Sequence, residues 1–147
     1  GRFGLSYIDE SGEENSDVFV IHRAPLSTHE RFMAFLIEHY AGRFPLWLSP
    51  VQVKVLPVSD KFNDYGGKVA AALEEANIRI EFDDRSERLG AKIRQAEVEK
   101  VPYMLIIGGN EAEADTVTVR SRDEDEQAVL KLEEFVERTA AQSQSRN

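Results

Sequence analysis

Four cations fall within ten residues in the run Arg85-Ser86-Glu87-Arg88-Leu89-Gly90-Ala91-Lys92-Ile93-Arg94, opposed by Glu87 alone. Arg85, Arg88, Lys92 and Arg94 have the chemistry of a phosphate ledge: each side chain donates hydrogen bonds and none accepts. Such a patch holds a phosphate backbone over about 8 Å at physiological salt, even on an acidic molecule. Arginine also pairs in bidentate fashion with base edges and stacks on planar groups. The alternative reading of the same run is a solvated helix face. Elsewhere, His29 and His39 have no partners at metal-site or triad spacing, and both read as structural. No Gly-x-x-x-x-Gly-Lys loop, paired-carboxylate site or nucleophile constellation stands out, so the chemistry on offer is binding.

The ledge needs a scaffold, and the sequence supplies one. Val51 to Leu56 alternates like a half-buried strand. Phe62, Tyr65, Val69, Ala72, Leu73 and Ala76 follow at helical spacing, and Asn77 sits where a left-handed residue would close that helix. Ile78 to Phe82 reads as a strand and Leu89 to Val98 as a helix. In that helix Leu89, Ile93 and Ala96 face inward, while Lys92 and Arg94 face solvent. Gly90 lies at its start, where a missing Cβ would allow close backbone approach. Tyr103 to Ile107 is a continuous apolar run, expected to be a central strand buried on both faces. Thr116 to Arg120 alternates again, and Gln127 to Ala141 is expected to be one amphipathic helix. Strand–helix alternation with short links predicts an α/β fold, three-layer-like, with a mixed, mostly parallel sheet of about five strands flanked by helices.

Upstream, Gly4 to Ile8 and Asp17 to His22 are expected to be short strands around a turn at Gly12. Ser27 with Glu30 forms a capping box for a helix bearing Phe32, Phe35, Leu36, His39 and Tyr40. Gly42, Pro45 and Pro50 end that helix and stiffen a connector. The expected domains are 1–44, a connector over 45–50, and 51–147.

The chain has 147 residues, a 41% apolar fraction and a net charge of −9. That is enough for one domain with a packed core. The charge argues against a surface coated in phosphate-binding groups, because acid gathers near both ends while the ledge stays basic. No apolar run is long enough to cross a membrane as a helix. With no cysteine there is no disulfide framework, and a reducing cytoplasm is the plain reading.

The segment Ile-His-Arg-Ala-Pro-Leu-Ser-Thr-His-Glu-Arg-Phe (21–32) and the run Phe-Pro-Leu-Trp-Leu-Ser-Pro (44–50) resemble threonyl-tRNA synthetases at the junction of their catalytic and anticodon-binding domains. From Val51 to Ala141 the chain looks like the anticodon-binding domain shared by the histidyl, prolyl, glycyl and threonyl class II enzymes. The matching elements are Pro50-Val51-Gln52-Val53, Ile78-Arg79-Ile80-Glu81, Leu89-Gly90-Ala91-Lys92-Ile93-Arg94 and Val101-Pro102-Tyr103-Met104.

The resemblance implies a fragment of a longer threonine–tRNA ligase, and its consequences are expectations. The family's base-reading arginine falls on Arg120 and its partnering acid on Glu111. The loop Asp84-Arg85-Ser86-Glu87 joins Arg88, Lys92 and Arg94 in contacting the tRNA. Ser86 stands where many relatives carry asparagine; it keeps a donor and an acceptor on a shorter arm. Arg31 falls on the motif 3 arginine that contacts ATP, and Ser27-Thr28 replaces the usual Gly-Ser. His22 falls on a zinc ligand whose companions, a cysteine and a histidine, are not in this chain, so no zinc is expected on it. The implied partner is the anticodon loop of a threonine tRNA, with no DNA and no membrane, and the full-length enzyme would be a cytoplasmic homodimer using zinc and ATP-Mg. A non-catalytic synthetase-like interaction module, or a small-molecule-binding α/β domain, are the alternative readings.

Overall fold

A computed structural model describes residues 3–21, 23, 28–124 and 126–146. It divides into two units, residues 1–34 and 35–147.

In the first unit the Asp9 carboxylate accepts hydrogen bonds from the Ser11 amide and hydroxyl and the Glu13 amide, and Gly12 takes φ +82°. This tight Asx turn closes a hairpin at once, pairing β1 (Tyr7–Ile8) with β2 (Glu14–Asn15). The expected strand over Asp17 to His22 is therefore absent over residues 17–21, and His22 lies outside the described residues. Helix α1 (His29–Tyr40) carries no buried residue. Ser27 lies outside the described residues; the Thr28 hydroxyl accepts the Arg31 amide at 3.4 Å at the start of the helix. At its far end Ala41 and Gly42 have positive φ, and the Gly42 amide returns to the Ile37 carbonyl, a left-handed helix stop.

The second unit runs β3 (Val53–Pro57), α2 (Asn63–Glu75), β4 (Ile80–Phe82), α3 (Leu89–Val98), β5 (Tyr103–Ile107), α4 (Gly109–Ala114), β6 (Thr116–Ser121), β7 (Gln127–Lys131) and α5 (Leu132–Ser145). The strands form one mixed five-stranded sheet in the order β4-β3-β5-β6-β7. β3 is parallel to β4 and β5, and the β5–β6 and β6–β7 pairs are antiparallel. β5 lies at the centre, with Met104, Leu105 and Ile107 buried. Asn77 closes α2 at φ +59°.

Two elements depart from the sequence reading. Residues 127–131, expected as the first turn of the last helix, form β7. Pairing every residue of that stretch with β6 turns Leu130 inward opposite Val117 and satisfies an edge that would otherwise stand open. The helix then starts at Leu132, with Glu133 and Glu134 at its positive end. Residues 109–114, which the sequence reading assigns to no element, form α4 and carry Glu111. The close backbone approach expected at Gly90 occurs at Gly66 instead. A Cβ on Gly90 would meet nothing within 4 Å, whereas one on Gly66 would stand 2.7 Å from the Phe82 ring and 3.1 Å from Pro57. That contact explains a glycine in mid-helix despite its cost of about 1 kcal/mol.

Helices α2 and α5 cover one sheet face, where Tyr65, Val69, Leu73 and Phe135 pack on Val53, Val55, Leu105, Ile107, Val117 and Val119. Helix α3 covers the opposite face of β3 and β5 through Ala96 on Leu56 and Met104. It stops short of β6 and β7. There the alternate residues Thr116, Thr118 and Arg120 remain half-buried, and Gln127, Val129 and Lys131 are exposed. This half-open sheet face borders the candidate site.

Candidate nucleic-acid interface

The ledge begins where β4 ends. Asp83 is buried, and its carboxylate grips Arg85: Oδ1 accepts from the Arg85 amide at 3.2 Å and Nε at 2.9 Å, and Oδ2 from Nη2 at 2.6 Å. The Arg85 hydrogen bonds hold this carboxyl below the usual aspartate range, outweighing the burial that would raise it, and Lys92 adds to the effect. In return Asp83 raises the Arg85 guanidinium. Arg85 Nη2 also donates to Gln95, 2.8 Å away, and Gln95 donates to Glu99. Glu99 and Glu81 in turn clasp the fully buried Lys54 at 2.7 and 2.8 Å. Burial alone would lower the Lys54 ammonium, but these two carboxylates hold it above its ordinary value. A continuous polar chain thus ties the loop after β4 to β3.

Lys92 corrects the sequence reading. Its side chain does not face solvent but is buried, donating to the Asp83 carbonyl at 2.8 Å and the Pro57 carbonyl at 3.4 Å, with the Asp83 carboxylate 3.9 Å away. The physical reason is its position three residues after Leu89 and four before Ala96, on the inward stripe of α3. The ammonium fastens the ends of β3 and β4 together. Ser86, Arg88 and Arg94 are exposed around it, and Arg88, Arg85 and Ser86 line a cleft with Ser59 and Asp60.

Arg120 and Glu111 do not pair. Glu111 opens α4, accepting the Gly108 amide at 2.9 Å and the Thr118 hydroxyl at 2.7 Å. Burial pushes its carboxyl up, but the Thr118 hydroxyl and backbone donors leave it lowered overall. Arg120 instead binds Glu97 of α3, Nη2 to Oε1, at 2.6 Å. Both residues still border the same surface, since Thr118 and Arg120 point to one side of β6 two residues apart. The structure therefore brings Glu111 and Arg120 to one half-open sheet face, with Arg88 and Arg94 exposed on the neighbouring α3 segment.

Residues 52–142 match the family model described as an anticodon binding domain. The chain belongs to the anticodon-binding domain family. Over 145 residues, 99% of its length, it is 50% identical to the threonine–tRNA ligase of Clostridioides difficile, of which it covers 22%. It is 53% identical over 137 residues, 93% of its length, to the threonine–tRNA ligase of Acetivibrio thermocellus, covering 21% of that protein. Among solved structures it is similar to the RNA binding domain of threonyl-tRNA synthetase from Cryptosporidium parvum, with TM-score 0.73 and 34% identity, covering 77% of this chain and 28% of that one. The chain thus spans about a fifth of the length of the curated relatives it matches.

The anticodon-binding domain also seizes its connector, which sequence reasoning missed. Arg79 donates to the Trp47 and Ser49 carbonyls, Gln52 to the Leu46 carbonyl, Arg122 to the Phe44 carbonyl, and Lys100 to the Ala41 carbonyl. Arg43 closes the clamp on Asp123. Arg122 sits two residues beyond Arg120, so the clamp and the half-open face meet at the end of β6.

Two further expected residues belong to the first unit or fall outside the described residues. Arg31 is exposed on α1. His22 is outside the described residues, and among the described residues no group of three histidine or acidic side chains is placed to hold a metal. No helix among them is long and apolar enough to cross a membrane.

Proposed function

We propose that this domain recognises the anticodon loop of a threonine tRNA on behalf of a threonine–tRNA ligase. The observation that carries the reading is the half-open face of β6 and β7, where Arg120 keeps donors unengaged. Single-stranded RNA loops are read in this way, by hydrogen bonds to splayed base edges and by stacking on planar groups. Arg120 reads a base edge, and Glu111 orders the strand beneath it through Thr118. Arg88 and Arg94 attract the backbone, and Ser86 offers a short donor and acceptor. Arg85 and Lys92 shape the loop. The half-identity to threonine–tRNA ligases across nearly the whole chain supports threonine as the amino acid.

The parent protein in this reading joins threonine to its tRNA with ATP in the cytoplasm, as a homodimer. Arg31 belongs to its nucleotide contacts and His22 to a zinc site. Zinc needs three protein ligands, and the residues described here do not supply such a set, so the remaining donors come from elsewhere in that protein. The test is a binding titration with the threonine anticodon stem-loop and a triplet-swapped version at low and moderate salt. A preference for the threonine triplet that survives added salt is expected; equal affinity for both stem-loops overturns the reading.

A further inference from the structure

A cleft of about 280 Å³ opens between the connector and the end of β6, lined by Arg43, Glu97, Met104, Arg120, Arg122 and Glu124. Its three guanidinium groups are unequal. Arg122 is walled in: Nε and Nη2 donate to Asp123, and Nη1 to the Phe44 and Lys100 carbonyls. Arg120 and Arg43 are 36% and 52% exposed, and each engages a carboxylate through Nη2 alone, Glu97 and Asp123 respectively. Neither has another hydrogen-bond partner among the described residues. A guanidinium carries five N–H groups in a fixed fork, so each keeps donors for a ligand while its partner holds it in place. Val101 and Met104 give the cleft an apolar floor.

We propose that Arg43 contacts an RNA phosphate at this cleft, next to the base that Arg120 reads in the function proposed above. The proposal rests on the RNA-binding reading above and adds Arg43, which lies between α1 and the connector and outside the matched family region, to the contact surface. The volume is near the lower end for small-ligand sites, about 300 Å³, which suits a single nucleotide. The lining carboxylates Glu97 and Glu124 oppose a free di- or triphosphate more strongly than the single charge of a bridging phosphodiester. A base entering face-on meets Met104 and Val101, and its edge meets Arg120.

The experiment uses the 147-residue chain with the two stem-loops, titrated between about 50 and 200 mM salt. Arg43→Ala is expected to weaken both stem-loops alike, by about tenfold, and to reduce the salt slope by about 0.7, the share of one single-strand phosphate. Arg43→Lys, which keeps the charge that faces the phosphate, is expected to keep most of the affinity and of the salt slope. Arg138→Ala, an exposed cation on α5, serves as control and should change nothing. Unaltered affinity and slope in Arg43→Ala overturn the proposal. So does an equal loss in Arg43→Lys, which would show that the clasp on Asp123, and not the charge, is what the affinity depends on. If the wild-type chain prefers the threonine triplet while Arg43→Ala behaves like wild type, only this inference falls; if the wild type binds neither stem-loop, both readings fall.

Discussion

The loop after β4 and the end of β6 each present arginine to solvent, yet they use it in opposite ways. At the loop, Arg85 is gripped through its amide, Nε and Nη2 by Asp83, reaches Gln95, and has Glu87 3.8 Å from Nη1. At β6, Arg120 engages one nitrogen. The first arginine organises the backbone, and the second is held in place with donors to spare. An exposed cation is therefore a poor guide to a ligand contact until the partners already holding it are counted.

The contrast is sharpest at Lys92. Lys92→Met leaves the Asp83 and Pro57 carbonyls without their buried donor and, among the described residues, leaves Arg85 as the one remaining cation on the Asp83 carboxylate, and an unsatisfied buried acceptor costs about 1–3 kcal/mol. Thermal or urea unfolding should show that loss. A variant as stable as wild type that binds RNA more weakly would restore the surface role expected from sequence. Arg120→Ala should do the reverse, leaving the melting curve in place while reducing discrimination between threonine and swapped triplets by about tenfold. Loss of stability with intact discrimination would erase the distinction between the two regions.

Acid should unfasten the loop side. Asp83 and Glu99 are both lowered in the folded state, so they contribute stability that is present above their unfolded values, near 4, and is lost as pH falls through the folded ones. Melting temperature should therefore drop below about pH 4, and Asp83→Asn should flatten part of that dependence. The smallest effect belongs to Glu97→Gln. An exposed ion pair contributes roughly 0–1 kcal/mol, so stability should barely move; a large drop would mean that Glu97 anchors α3 rather than orienting Arg120.

Much of this was legible beforehand, for reasons that can be assigned. β3, β5 and β6 declare themselves by alternation or unbroken apolar runs, and Asn77 by its tolerance of positive φ. β7 does not, because Gln-Ala-Val-Leu-Lys leads into Leu-Glu-Glu-Phe at a spacing that continues a helix; only pairing with β6 decides it. Helix α4 is too short to show a period. Lys92 was readable in spacing, three residues from Leu89, but its charge argued louder than its position. Arg43 carried no local signal, since its cleft is assembled from the connector, α3 and the end of β6. The pairing of Arg120 with Glu97 rather than Glu111 is likewise a product of where α3 ends.

The connector clamp has a practical consequence. Trp47, the sole tryptophan of the chain, sits in the short turn Leu46–Leu48 whose carbonyls Arg79 and Gln52 secure. Its emission is a native optical reporter for this joint: release of the turn would shift the indole toward water and redden the spectrum, with no dye attached.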